Sequence, residues 1–288
     1  MGEWVIGIIG GSGLYAIDAL EDAQWLAIDT PWGAPSDELL MGRIAGVRFV
    51  FLPRHGRGHP IPPGDLNARA NVDALKRAGC TDIIAISAIG SLREELPPGR
   101  FVAVDQFIDR TVARETSFFG PGFAAHVSMA DPVCPRLSAL AADAAEAVGA
   151  PVTRGGTYVA MEGPQFSTRA ESRMYRAWGG DVIGMTAMPE AKLAREAELP
   201  YALLGMVTDY DCWRDGESAD VAEIVDRLHA NAQTAMGLVT ALARLLPKER
   251  TFSPIDTNLD TAVITAPQSR DPAMMAKLDA VCRRLFAQ

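Results

Sequence analysis

The first apolar stretch of the chain leads directly into a glycine-rich turn, Gly7-Ile8-Ile9-Gly10-Gly11-Ser12-Gly13. A short β-branched run that ends in glycines is typical of a buried strand whose exit turn exposes backbone N–H groups. With the Ser12 hydroxyl beside those amides, the turn is a candidate cradle for an anion. It lacks the lysine of a Walker loop and has no clean GxGxxG, so a dinucleotide site is poorly supported. An ordinary strand exit is the alternative.

Similar apolar runs recur along the chain and alternate with helical patterns. Runs that predict strands lie at 4–9, 47–53, 82–89, 101–108, 181–185 and 200–207. Helical spacing of Ala, Leu and Val is found at 65–79, 134–148, 186–198 and 219–246. This alternation predicts a single α/β domain over residues 1–250, with a central, largely parallel or mixed sheet flanked by helices on both faces. A proline-rich linker at 247–270 should lead to one amphipathic helix near 271–286, so that 251–288 packs on the domain or on a neighbouring subunit.

Composition limits the class of partner. The 27 Lys+Arg against 36 Asp+Glu give a formal charge of −9, which argues against a nucleic-acid or anionic-membrane surface. A hydrophobic fraction of 48% supplies a sizeable core and excludes a mostly disordered chain. The four cysteines show no metal-site or disulfide pattern, and no apolar stretch approaches the ~20 residues of a membrane span. We therefore expect a soluble, untargeted cytoplasmic protein.

A compact cationic loop follows the second strong strand, Pro53-Arg54-His55-Gly56-Arg57-Gly58-His59-Pro60. An arginine fork matches phosphate oxygens, and a histidine can donate a further hydrogen bond to the same anion. Arg54 and His55 follow a buried strand directly, which favours a functional role. For Arg57 and His59 a solvated turn is the favoured interpretation.

A third strand exit, Ile86-Ser87-Ala88-Ile89-Gly90-Ser91-Leu92, adds a hydroxyl and small residues that let backbone amides approach a ligand. Ligands of open α/β sheets bind beyond the carboxyl ends of the strands. The three exits can therefore bring together Ser12, Arg54, His55 and Ser87. Taken singly, each serine is more often structural.

Two later junctions between elements also carry candidate groups. In Met161-Glu162-Gly163-Pro164-Gln165-Phe166-Ser167-Thr168-Arg169-Ala170-Glu171-Ser172 the Phe166 ring can stack on a flat ligand. The alternative for this segment is a helix start, with Ser167 or Thr168 as cap and Glu171 completing a capping box. In Gly184-Met185-Thr186-Ala187-Met188-Pro189-Glu190 the amides and the Thr186 hydroxyl can face an anion or a sugar, and helix capping is again the alternative.

Two carboxylates follow a strongly apolar strand, in Thr208-Asp209-Tyr210-Asp211-Cys212-Trp213. Their i, i+2 spacing puts both on one side if the strand continues, where repulsion and partial burial raise one pKa. Such a pair can be a general acid, a set of metal ligands or a solvated loop. A metal is the least favoured of these, because no other His, Cys or carboxylate cluster has ligand spacing.

Together these segments resemble the purine nucleoside phosphorylase family, most closely its 5′-methylthioadenosine phosphorylase branch. The likeness spans residues 5–246, and its marks form a specific ordered set. They are 7–15, Arg54-His55-Gly56, 67–71, 80–92, 105–111, 162–172, 185–190 and 208–213.

The resemblance implies phosphorolysis, in which inorganic phosphate attacks C1′ and releases the free base together with 5-methylthioribose 1-phosphate. It implies no metal and no organic cofactor. The phosphate site implied is Ser12, Arg54, His55, Ser87, the Ala88 amide and Thr186. The ribose and base site implied is Met185, Phe166, Thr208, Asp209 and Asp211.

The resemblance also implies a homotrimer or a dimer of trimers. An apolar wall for the 5′ group maps onto Val221, Ile224 and Val225, although their spacing is equally that of any amphipathic helix packed on a core. His126 of a neighbouring subunit would close this pocket, and a plain loop residue is the alternative.

Purine chemistry connects the acidic pair with adenine. A protonated Asp209 can donate to N7 while its other oxygen accepts from the N6 amine, with Asp211 assisting at N6 or keeping the first carboxyl protonated. A 6-oxopurine presents an acceptor at position 6, so Asp209 favours 6-aminopurines. The alternatives within enzymes are phosphorolysis of adenosine or of 6-oxopurine nucleosides such as methylthioinosine, inosine or guanosine. A nucleoside-binding module without turnover and a Rossmann-type oxidoreductase are the alternatives from other classes.

Overall fold

The computed structural model describes residues 2–11, 17–214 and 221–287, with the backbone alone at 221–226 and 228–232. The strands are β1 (Val5–Gly10), β2 (Glu21–Leu26), β3 (Leu39–Ile44), β4 (Val47–Pro53), β5 (Asp82–Ser91), β6 (Phe101–Val104), β7 (Gln106–Asp109), β8 (Val152–Arg154), β9 (Thr157–Ala160), β10 (Val182–Gly184) and β11 (Tyr201–Asp209). The α-helices are α1 (Ala68–Arg77), α2 (Pro135–Ala147), α3 (Arg169–Ala177), α4 (Ala187–Glu196), α5 (Val221–Leu245), α6 (Pro272–Lys277) and α7 (Arg283–Phe286). None of these helices combines the length and apolarity that crossing a bilayer requires.

These strands form one mixed sheet. Its order is β2-β3-β4-β1-β5-β10-β9-β7, while β11, β6 and β8 extend it from β5 in another direction. β1 pairs in parallel with β4 and with β5, and β11 pairs in parallel with β5. β10 runs antiparallel to the last residues of β5, with Ile183 opposite Gly90. The carboxyl ends of β1, β4, β5 and β11 therefore lie at one edge of the sheet.

Side chains of the central strands alternate between two cores, as expected for a sheet covered on both faces. On β1, Val5 and Ile9 enter one core, whereas Ile6 and Ile8 enter the other. The first core contains buried residues of α1, α4 and the C-terminal segment, and the second contains those of α2 and α5. The predicted α/β fold, a central mixed sheet flanked by helices, is confirmed.

Some predicted elements differ from the observed ones. The single strand expected at 101–108 is wrong, because the chain turns at the exposed Asp105 and makes two strands, β6 and β7, with different partners. The Asp105 and Gln106 amides both donate to the Gly156 carbonyl at this turn. Strand β2 was not predicted, because it is mostly exposed and so has no apolar run.

The C-terminal segment packs on the first core of its own chain. The single helix predicted near 271–286 is wrong, since two short helices, α6 and α7, flank the buried residues Leu278, Val281 and Cys282. Arg284 on α7 pairs with the buried Glu198 at 2.6 Å. Burial of these three side chains therefore determines how this segment folds, more than helical periodicity does.

Candidate active site

The carboxyl edge of the sheet gathers polar side chains that are far apart in sequence. Just beyond β4, the Arg54 amide donates to the Gly10 carbonyl at the end of β1, at 2.9 Å. The loop after β10 carries Thr186 back to β5, where its hydroxyl oxygen lies 3.2 Å from that of Ser87. Arg54 Nη1 donates to the carbonyl of Ile86, the neighbour of Ser87, at 3.1 Å. Arg54, Ser87 and Thr186 therefore form one corner, which we call the phosphate corner.

Helix capping does not account for Thr186. The residue occupies the N-cap position of α4, yet its side chain makes no capping hydrogen bond. Its amide donates to the Tyr158 hydroxyl at 3.4 Å, and its own hydroxyl faces Ser87. The hydroxyl is therefore held at the phosphate corner.

Capping does account for Thr168. Its side chain accepts from the Glu171 amide at the start of α3, and the Glu171 carboxylate accepts from the Thr168 amide at 2.8 Å. The predicted capping box is confirmed with Thr168 as the cap. This leaves Phe166, 45% exposed, as the free aromatic of the loop.

A buried ion pair holds the Arg54 guanidinium. Glu190 on α4 accepts from Nε at 3.1 Å and from Nη2 at 3.3 Å, and Tyr201 donates to the same carboxylate at 2.8 Å. Nη2 also donates to the Ile9 carbonyl at 3.3 Å. Burial acts to lower the pKa of Arg54, but the charge and hydrogen bonds of Glu190 raise it overall. One of the five N–H groups, on Nη1, has no partner among the described residues and is available to an anion.

His55 is held in one tautomer. Its Nδ1 lies 2.9 Å from the Ile61 carbonyl, which can only accept, so Nδ1 carries a proton. Burial, assisted by the charge of Arg54, lowers the pKa of His55 to about 4. The ring is therefore neutral near pH 7 and its Nε2 is an acceptor. In this form Nε2 can accept but not donate a hydrogen bond, which differs from the donor role predicted for His55.

The two carboxylates at the end of β11 form a second corner, which we call the acid corner. Asp209 accepts from the Thr208 hydroxyl at 2.6 Å and from the Asp211 amide at 2.7 Å. Asp211 is 4% exposed and adopts a left-handed backbone with φ of +55°. Its Oδ2 is buried without a hydrogen-bond partner among the described residues.

Burial affects the proton affinity of Asp211. Burial raises the pKa of Asp211 to about 6, and the negative charge of Asp209 acts in the same direction. The sequence assigned the proton to Asp209, with Asp211 assisting. The geometry instead favours Asp211 as the member that is protonated close to neutrality.

Strand β5 sets the separation of the two corners. Asp209 pairs with Gly90 in the sheet, and a Cβ on Gly90 would lie 3.0 Å from Asp209 Oδ1. Gly90 follows Ser87 by three positions, which corresponds to about 10 Å along a strand. The half-buried Ala88 lies between the two corners. This interval is large enough for a sugar between an anion and a purine.

The loop at 161–168 borders this interval. Gly163 has a φ of +71°, and a Cβ there would lie 2.6 Å from Met185 Sδ, so any other residue would be strained and would displace the Met185 side chain. At the other end the Ser167 carbonyl accepts from Cys212 Sγ at 3.2 Å, next to the acid corner. Met185 and Phe166 are therefore on elements that connect the two corners.

Several predicted site residues are placed elsewhere or lie outside the description. Ser12 lies outside the described residues, and the side chains of Val221, Ile224 and Val225 do as well. Helix α5 does reach the end of β11, because Arg227 Nη1 donates to the Thr208 carbonyl at 2.6 Å. His126 is exposed and lines a cavity of about 450 Å³ with Ser117, Phe119, Lys192 and Glu196. No residue of either corner lines that cavity.

Comparison with known proteins identifies the family. A family model described as the Phosphorylase superfamily matches residues 5–244. The chain belongs to this family. The phosphorylase is 59% identical to the S-methyl-5′-thioadenosine phosphorylase of Cereibacter sphaeroides, over 98% of each chain.

Solved structures also resemble this phosphorylase. A methylthioadenosine phosphorylase from an antarctic soil metagenomic library superposes with a TM-score of 0.91 at 44% identity, covering 98% of this chain and 99% of that one. The methylthioadenosine phosphorylase of Schistosoma mansoni in complex with adenine gives a TM-score of 0.83 at 38% identity, covering 88% and 96%.

Three residues around the phosphorylase site were not predicted as functional. Glu190 and Tyr201 support Arg54, and Arg114 contacts the loops that carry Met185 and Glu162. Their local sequence is that of an ordinary helix, strand or loop. Glu190 is an acidic residue in a helical pattern, and only the structure shows that it is buried against Arg54. The described residues contain no group of three His, Cys, Asp or Glu placed to share a metal ion.

Proposed function

We propose that this phosphorylase cleaves 5′-methylthioadenosine with inorganic phosphate, giving adenine and 5-methylthioribose 1-phosphate. The observation that carries the proposal is the pair of corners about 10 Å apart on β5. One offers hydroxyls and an arginine N–H to an anion, and the other offers a carboxyl with a raised pKa.

The phosphate corner supplies the nucleophile. Phosphate is held by Arg54, by the Ser87 and Thr186 hydroxyls, and by the Ala88 amide, with Ser12 completing the set. His55 Nε2 accepts from a protonated phosphate oxygen. A phosphate oxygen then forms a bond to C1′ as the bond from C1′ to N9 breaks, and the anion stabilises the developing positive charge of the sugar.

The acid corner receives the leaving base. Electrons of the broken bond move into the purine, and the Asp209–Asp211 pair gives its proton to N7 while a carboxylate oxygen accepts from the N6 amine. Thr208 fixes Asp209 by its hydroxyl hydrogen bond. Met185 contacts the ribose and Phe166 covers the base, so the sugar is held between the two corners.

The finer features belong to the same proposal. The enzyme works as a homotrimer or a dimer of trimers, in which His126 of a neighbouring subunit closes a 5′ pocket walled by Val221, Ile224 and Val225. It acts in the cytoplasm in purine and methionine salvage. It requires phosphate as cosubstrate and no metal or organic cofactor.

A single assay tests the proposal. Base release is measured with and without phosphate, from adenine and hypoxanthine nucleosides that carry either a 5′-methylthio or a 5′-hydroxyl group. We expect phosphate-dependent release of adenine, fastest from the methylthio substrate. Release without phosphate would identify a hydrolase, and faster release of hypoxanthine would favour the 6-oxopurine alternative.

A further inference from the structure

Arg114 connects two loops that border the proposed nucleoside site. Its Nη1 donates to the carbonyls of Met185 and Met188 at 2.6 and 2.8 Å. Its Nη2 donates to the carbonyls of Glu162 and Met161 at 2.6 and 3.5 Å. Its Nε donates to Glu162 Oε1 at 2.8 Å. All five N–H groups of this guanidinium, which is only 5% exposed, are therefore used on these two loops and on Met188 in the first turn of α4.

The connection is anchored to a third segment. The other oxygen of Glu162 accepts from the amides of Val112 and Ala113, so the segment that carries Arg114 is tied to the loop it holds. At the start of that segment Asp109 pairs with Lys192 on α4 at 2.5 Å. The guanidinium is thus fixed relative to α4 as well as to both loops.

Each loop carries a part of the proposed site. The Met185 carbonyl that Arg114 holds belongs to the peptide immediately before Thr186, whose hydroxyl meets Ser87 at the phosphate corner. The Glu162 carbonyl immediately precedes Gly163, which packs against Met185, and Phe166 lies three residues further along. Replacing the Arg114 guanidinium should therefore alter the distance between the loop that carries Phe166 and the loop that carries Thr186.

We infer that Arg114 is a positioning residue for phosphorolysis, setting the spacing between the Glu162–Phe166 loop and the Met185–Thr186 loop. This inference rests on the proposed function. In-line attack on C1′ requires phosphate and nucleoside to be aligned at once, and a misplacement of ~1 Å can cost about 100-fold in rate. Lysine keeps the charge of Arg114 but has three donors on one nitrogen, so it cannot hold both loops.

The test compares two arginines of similar burial. Arg114→Lys removes the connection between the loops. Arg250→Lys is the matched control, because Arg250 is also largely buried and bridges Asp82 and Asp256 but has no contact with either corner. Both variants and the wild type are measured for unfolding midpoint and for kcat and KM with 5′-methylthioadenosine and phosphate varied separately.

We expect kcat/KM of Arg114→Lys for the nucleoside to fall about 10- to 100-fold, with a lower kcat at saturation of both substrates. Arg250→Lys should lose stability while its kcat/KM stays within about twofold of wild type. Wild-type kinetics in Arg114→Lys would overturn the inference. An equal loss of activity in Arg250→Lys would overturn it too, since the effect would then track stability alone.

A second variant covers the case in which Arg114→Lys does not fold. Glu162→Gln keeps the side-chain shape but removes the charge that faces Arg114. It also replaces one carboxylate oxygen with an NH2 group, so the side chain can no longer accept from both Arg114 and the Val112 and Ala113 amides. A smaller loss of kcat/KM in the same direction is expected, and unchanged kinetics would overturn the inference. Failure of the proposed function is distinguishable, because wild-type enzyme would then show no phosphate-dependent release of adenine, whereas failure of the inference appears only in the ratio of variant to wild type.

Discussion

Glu190 holds the guanidinium of Arg54 in an ion pair whose side chains are only 6% and 2% exposed, with Nε and Oε2 3.1 Å apart. The pair is neutral overall, and His55, whose pKa is lowered to about 4 by burial, is neutral near pH 7 as well. The described part of the phosphate corner therefore offers an anion directed hydrogen bonds rather than excess positive charge. Correct orientation of the donors is what this site depends on.

Replacing Glu190 should affect both stability and phosphate use. Glu190→Gln leaves the Arg54 charge buried without its partner, which costs about 3–5 kcal/mol. We expect the phosphate KM to rise more than the nucleoside KM. Urea unfolding and steady-state kinetics measure the two effects. Tyr201→Phe, which removes one hydrogen bond to Glu190, is the control and should cost about 1 kcal/mol. An unchanged phosphate KM in folded Glu190→Gln would contradict the role given to Glu190.

The raised pKa of Asp211 predicts a pH dependence. The protonated carboxyl is the form that donates to the base, so kcat/KM for 5′-methylthioadenosine should fall as the pH rises through about 6. Asp209→Asn removes the neighbouring negative charge that contributes to this raised pKa. The descending limb of the remaining activity should therefore shift to lower pH in that variant, as measured at saturating phosphate. If activity declined at the same pH in Asp209→Asn and in the wild type, a group other than Asp211 would be responsible for the pH dependence.

The same substitution should change base preference. Asp209→Asn replaces an acceptor with an amide that can donate to a 6-oxo group, which lowers cleavage of 6-amino substrates and favours 6-oxo substrates. The ratio of the two kcat/KM values should shift by about 100-fold or more. Tyr210→Phe is the matched control, because Tyr210 lies between the two aspartates and its hydroxyl bonds to the Glu94 carbonyl. Equal preferences in Asp209→Asn and wild type would count against the base-recognition argument.

The strands that build the site were predictable because they are buried on both faces. β1, β4, β5 and β11 are predominantly apolar, and a resemblance to a known family then indicated the roles of the residues at the end of each strand. Ser87 and Thr186 are 99 residues apart, and their contact depends on the antiparallel pairing of β10 with β5, which no local pattern encodes.

Supporting residues were less predictable than direct contacts. Arg114 and Glu190 contact other protein groups that are distant in sequence, so their roles become apparent only when the fold brings those partners together. The sequence predicted a raised pKa for one carboxyl of the pair. The structure shows that Asp211 is the buried carboxyl, and burial is what raises its pKa. Three-dimensional packing therefore supplied the information that residue spacing could not.

The C-terminal segment provides a last test, because we propose that 251–288 is a linker and helical segment packed on the chain's own domain. Leu278 has no exposed surface and lies in the first core. Leu278→Ala should lower the free energy of unfolding by about 2–5 kcal/mol, since it leaves a cavity. The neighbouring Lys277 is exposed, and Lys277→Ala should change stability by no more than about 0.5 kcal/mol. Equal stability of the two variants in urea would show that the segment is not part of the cooperative fold. Because Leu278 belongs to neither corner, kcat/KM of folded Leu278→Ala should match that of the wild type.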